Sequence, residues 1–120
     1  MKRLDNNFTS EGMQLLIRAV AAISDGVTIY TEQGDNIFTN DAHLVQIGCV
    51  DDSETYLNAR IDEVLFINPP ICSDAVTGKV LKTWQPCAGL VRYYRTGKTC
   101  LVSSAPITLD NGQKYIVSII

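Results

Sequence analysis

A chain of 120 residues, 46% apolar and 19% charged, is long enough for one buried core and has the mix of an ordinary globular domain. Its formal charge of −3 comes without a basic stripe, which argues against a phosphate-neutralising surface and so against direct nucleic-acid binding. The apolar runs are too short to span a membrane, and the basic residues Lys2 and Arg3 have no apolar segment behind them, so neither a membrane helix nor a secretory signal is expected and a cytoplasmic protein is.

Residues 1–9 are polar and are expected to be flexible. Ser10 is placed to cap a helix running to about Ser24, in which Met13, Leu16, Ile17, Val20 and Ile23 form one apolar stripe. Such a seam suits packing on the same domain or on the same helix of a second copy. Asp25-Gly26 ends that helix. "GVTIYT" and "NIFTN" then read as a hairpin turned by "EQGD". Asn40 or Asp41 caps a short helix "DAHLVQIG" that stops at Gly48. Asp51-Asp52-Ser53-Glu54 opens another helical stretch, to about Arg60. Pro69-Pro70 closes a connector, because proline cannot continue a helix. Ser73 or Asp74 starts a helix to about Trp84 with Val76, Val80 and Trp84 on one face. Strands over about Ala88–Arg95 and Thr99–Thr108 follow, and Asn111-Gly112 predicts a type I′ turn into a last strand from Lys114 to Ile120.

Strands at both ends with short helices between them predict an α+β fold: a five-stranded antiparallel sheet with helices on one face and a small pocket between. Cys49, Cys72, Cys87 and Cys100 lie far apart, without a C-x-x-C or Cys/His pair. They read as reduced thiols rather than a zinc site or disulfide framework. One histidine and no phosphate-cradling glycine loop give no catalytic set, so no enzyme activity is expected.

Two stretches carry a resemblance. The first is Asp25-Gly26-Val27-Thr28-Ile29 with Gly34, Ile37, Asn40 and Ala42. The second is Thr96-Gly97-Lys98 with Leu101-Val102, Pro106-Ile107 and Asp110-x-Gly112. In order and spacing they resemble the PAS domain, a small sensory module of bacterial signalling proteins, over residues 10–120. The likeness is greatest to PAS domains of sigma-54-dependent transcriptional regulators. The resemblance implies a single sensory domain from a longer regulator. It would dimerise through the N-terminal helix (Met13, Leu16, Ile17, Val20, Ile23) and control a separate output domain. The alternative is a ligand-free dimerisation module of a sensor kinase or other signalling protein.

The resemblance also orients the strands. It turns Leu90, Arg92 and Tyr94 toward the helices, with Cys100, Val102, Ser104 and Pro106 on the next strand and Tyr115, Val117 and Ile119 on the last. Arg92 could then fork onto a small anionic ligand, with Tyr94 and Ser104 as further donors and Leu90, Val102, Val117 and Trp84 as the wall. It could equally pair with Asp74 or Glu63, or snorkel to solvent. The cofactor is left open. Cys49 and Cys72 lack the neighbours of a flavin-binding motif, and the helix before the third strand lacks a haem-ligating histidine, so flavin and haem are both argued against. His43 reads as a surface or capping residue, with a polar pocket contact as the alternative.

Overall fold

A computed structural model describes residues 25–120 together with Glu11 and Leu15. Strands β1 (Val27–Thr31), β2 (Asn36–Thr39), β3 (Cys87–Tyr93), β4 (Lys98–Thr108) and β5 (Lys114–Ile119) form one antiparallel sheet in the order β2-β1-β5-β4-β3. The two predicted meanders are therefore joined by the β1–β5 pair. Helices α1 (Asp41–Ile47), α2 (Ser53–Asn58) and α3 (Val76–Thr83) and a 3₁₀ turn at Val64–Phe66 complete the order. None of the helices among the described residues is long and apolar enough to cross a membrane. The N-terminal stripe of Met13, Leu16, Ile17, Val20 and Ile23 lies outside the described residues.

The core has two parts. Ile47, Cys49, Tyr56, Ile71, Val76, Val91, Tyr93 and Val102 make the larger cluster, and Tyr30, Ile61, Val80 and Ile116 the smaller. Helix α3 buries Val76, Gly78 and Val80, which continues the apolar face expected of it. It stops at Trp84, which takes a left-handed φ of 54° and rests against the smaller cluster. Lys114 Nζ lies 5.9 Å from the centre of the Trp84 ring, within cation–π range.

Asn40 organises the entry to the sheet. Its Oδ1 accepts from the N–H groups of His43 (3.0 Å) and Val27 (2.9 Å), and its Nδ2 donates to the Asp25 carbonyl (3.0 Å). One side chain thus caps α1 and ties it to the start of β1. At the same corner, Ile120 N–H donates to the Gly26 carbonyl at 2.9 Å, adding a rung beyond β5. Gly26 is required by proximity: a Cβ there would lie 2.8 Å from the His43 Cα.

Three expectations are corrected. The last turn is not type I′: Gly112 takes a φ of 87° but Asn111 does not, and Gly112 N–H donates to the Leu109 carbonyl at 2.9 Å. This is the geometry of a type I turn closed by a left-handed glycine. On β3 the inward set is Val91 (1% exposed) and Tyr93 (6%), while Leu90 (70%) and Tyr94 (52%) face outward, as does the exposed Arg92. Helix α3 crosses so close that a Cβ on Gly89 would meet Val76 Cγ2 at 3.3 Å, so the small residue suits the inward position it shares with Val91 and Tyr93. On β5, Ile116 and Ser118 are buried, whereas Val117, Ile119 and Tyr115 take the other face. The register pairs Ser104 with Ser118 and Pro106 with Ile116, so the correctly oriented β4 fixes its neighbour.

Candidate functional site

Between the sheet and the helices lies a cavity of about 50 Å³. Two polar groups line it, among apolar side chains that include Ile47, Val76, Val91 and Val102. Partly exposed Val64, Cys72, Asp74 and Ala75 also contribute to its lining.

The first polar group is a chain. His43 Nε2 lies 2.8 Å from the Tyr56 hydroxyl, which lies 3.0 Å from the Tyr30 hydroxyl. The imidazole and the Tyr56 ring are 5.6 Å apart at 33°. Burial holds the imidazole neutral, with its pKa lowered to about 4, and raises both phenols. His43 Nδ1 is buried without a hydrogen-bond partner, on the side facing Gly26. Each member comes from a different element. Asn40 sets α1 and so His43. Tyr56 stands on α2, whose capping Asp52 is gripped by Arg95 Nη1 at 2.6 and 2.8 Å. The Arg95 Nη2 also donates to the Pro69 carbonyl at 3.0 Å, drawing the connector under the same anchor.

The second group is a triangle of hydroxyls. Thr77 of α3, Ser104 of β4 and Ser118 of β5 lie 2.9, 2.9 and 3.0 Å from one another. Thr77 and Ser118 face the cavity and Ser104 stands behind them. Thr28 is also buried on this side, with its hydroxyl donating to the Phe38 carbonyl at 3.1 Å.

The cavity thus gathers some predicted residues and leaves others out. Val102 lines it and Ser104 supports it. Leu90, Arg92, Tyr94 and Val117 lie on the opposite face of the sheet, so the Arg92 fork onto an anion inside the domain is withdrawn. The suggested carboxylate partner Asp74 is bound instead by Lys79 Nζ at 3.0 Å. Trp84 is packed outside the cavity lining. His43, expected at the surface, is 4% exposed. Its spacing of four from Ile47 marks the buried face of α1 and was the available signal. Thr28, Tyr30, Tyr56, Thr77 and Ser118 were missed, because single hydroxyl residues in short elements carry no pattern of their own.

All four cysteines are free thiols. Burial pushes Cys49 up to about 11 and raises Cys72, so both stay protonated and weakly nucleophilic near neutral pH. No cluster that could hold a metal ion occurs among the described residues.

No family model matches the sequence, and none of the curated proteins does. Solved structures do match. A PAS domain of an HTR-like protein from Haloarcula marismortui is 17% identical, with 92% of this chain and 91% of that chain covered and a TM-score of 0.57. The PAS domain of nitrogen regulation protein NR(II) from Vibrio parahaemolyticus is 13% identical over 88% of this chain and 96% of that one, at a TM-score of 0.55. The E. coli DhaR(N)–DhaL complex contains a chain 17% identical over 92% of this one but only 36% of its own length, at a TM-score of 0.60. At these identities the likeness is one of architecture, and the architecture is the PAS fold.

Proposed function

We propose that the chain is a sensory domain of a signalling protein, in which a small molecule enters the cavity between sheet and helices and alters the output of a separate domain. The observation that carries this reading is the polar-lined cavity itself: buried hydroxyls from both walls meet at one space large enough for a ligand of a few atoms. PAS domains of a two-component sensor histidine kinase and of NR(II) among the structural neighbours support the signalling context. A transcriptional regulator is the output we favour. The role is non-catalytic, since the chain's one histidine is buried and engaged with Tyr56. The mechanism is differential binding: the ligand favours one placement of α1–α3 against the sheet, and the entry at Asn40 and Gly26 passes it to the flanking segment.

A second reading, a dimerisation module, is favoured by the outer face of the sheet, where Leu90, Leu101 and Ile119 are 70%, 60% and 44% exposed. Residues 10–24 would supply the dimer contact through Met13, Leu16, Ile17, Val20 and Ile23. Native and denaturing mass spectra of the purified protein separate the readings. A reproducible small-molecule mass excess in the native spectrum supports sensing. A dimer without any passenger favours the module, and a bare monomer overturns the dimer.

A further inference from the structure

We infer that the cavity selects an uncharged molecule of about four heavy atoms that carries hydrogen-bond donors, an amide or small alcohol, and rejects carboxylates. This rests on the sensory reading and names its ligand class.

Size comes first. A space of about 50 Å³ holds roughly three to five waters at about 10–15 Å³ each, hence one small organic molecule of similar bulk. Charge comes second. The lining contains no lysine or arginine, and its one carboxylate, Asp74, is already answered by Lys79 at 3.0 Å. An anion would enter with no cation to meet it and a carboxylate in the lining. A cation would find that carboxylate taken. Either charge would enter without a free counter-charge, and stranding a charge is far more costly than burying a paired dipole.

Donor count comes third. The hydroxyls of Thr77, Ser104 and Ser118 own three donors and six acceptor sites. Thr77 and Ser104 both donate to Ser118, which fills both of its acceptor sites and leaves its own O–H, together with a free acceptor site on Thr77, to the floor of the cavity. A carboxylate could answer the Ser118 O–H but not the Thr77 acceptor, whereas an amide or an alcohol, with a donor and an acceptor of its own, answers both. At the other end, the Tyr30 hydroxyl, 3.0 Å from that of Tyr56, lines the cavity and faces the ligand's carbonyl or hydroxyl oxygen.

Three isosteric probes test this: acetamide, sodium acetate and acetamidinium chloride, titrated at matched ionic strength while backbone and side-chain NMR resonances of Tyr30, Tyr56, Thr77 and Ser118 are followed. Acetamide is expected to give saturable shifts with an affinity at least about tenfold above either ion, from the desolvation penalty of an unpaired charge. Thr77→Val, which keeps the shape and removes one wall of acceptors, is expected to abolish the acetamide shifts. Arg92→Ala, on the opposite face, is expected to leave them unchanged and serves as the folded control. Equal or tighter binding of acetate or acetamidinium overturns the ligand class and leaves the sensory reading standing. Silence from all three probes overturns both.

Discussion

The two faces of the sheet each depart from a simple apolar-in, polar-out division. The inner face, under the helices, carries Thr28, Ser104, Ser118 and the phenols of Tyr30 and Tyr93, all 6% exposed or less. The outer face carries Leu90, Leu101, Ile107 and Ile119, exposed by 40% or more. Inside, most of the polar groups answer one another: three hydroxyls in a triangle, and the phenols of Tyr30 and Tyr56 with Nε2 of a neutral imidazole. Outside, nothing among the described residues covers the leucines. Hydroxyls are thus admitted to an otherwise apolar interior, and an apolar side chain on this sheet is not guaranteed burial.

The sharpest test exchanges the faces. Ile116→Ala, at a fully buried site, is expected to lower unfolding free energy by about 2–5 kcal/mol through lost burial and a residual cavity. Leu101→Ala, on the outer face, is expected to stay within about 0.5 kcal/mol in the isolated monomer. Denaturant midpoints of both variants at one protein concentration check this, and a comparable loss at Leu101 would mean the outer face is covered.

A second test uses protons. The imidazole of His43 titrates near 4 in the folded protein against 6.5 unfolded, because burial disfavours its charged form. Between those values the unfolded chain binds more protons, so stability is complete above about pH 6.5 and falls as pH drops toward 4. The full loss is of order 3 kcal/mol. Urea midpoints at pH 7 and pH 5, for the protein and for His43→Gln, read the effect, and the variant should lack most of the slope. An NMR titration in which the imidazole charges near pH 6.5 would contradict its burial.

Tyr56→Phe comes next. Deleting the hydroxyl leaves His43 Nε2 and the Tyr30 hydroxyl without their shared partner in a buried site. The expected cost is about 1–3 kcal/mol, with side-chain NMR shifts at Tyr30. The smallest effect is Arg92→Ala, within about 0.5 kcal/mol by thermal or urea unfolding, as befits an exposed residue.

How much of this was legible in the sequence follows from where the physics is local. Turns, caps and helix stops are local, so the order of elements and the stop at Gly48 could be read directly and the cap narrowed to Asn40 or Asp41, of which Asn40 is the one used. Strand parity is decided at a distance. Leu90-Arg92-Tyr94 and Gly89-Val91-Tyr93 are both half apolar, and the choice between them lies in the crossing of α3 over Gly89. On β5 the resemblance turned Tyr115, Val117 and Ile119 inward, and nothing local corrected it, because the partners of Ser118 sit 14 and 41 residues away. The cavity was legible as a space between layers, but its chemistry was not, since its hydroxyls converge from five separate elements.

The rung between Ile120 N–H and the Gly26 carbonyl has a mechanical meaning. β1 begins where β5 ends, and the two strands run antiparallel. A pull that separates Asp25 from Ile120 therefore loads the ladder one hydrogen bond at a time, in unzipping, instead of shearing all of its rungs together. The domain yields most easily at the corner where a flanking lever would act, and Asn40 is the bolt that such a lever has to turn.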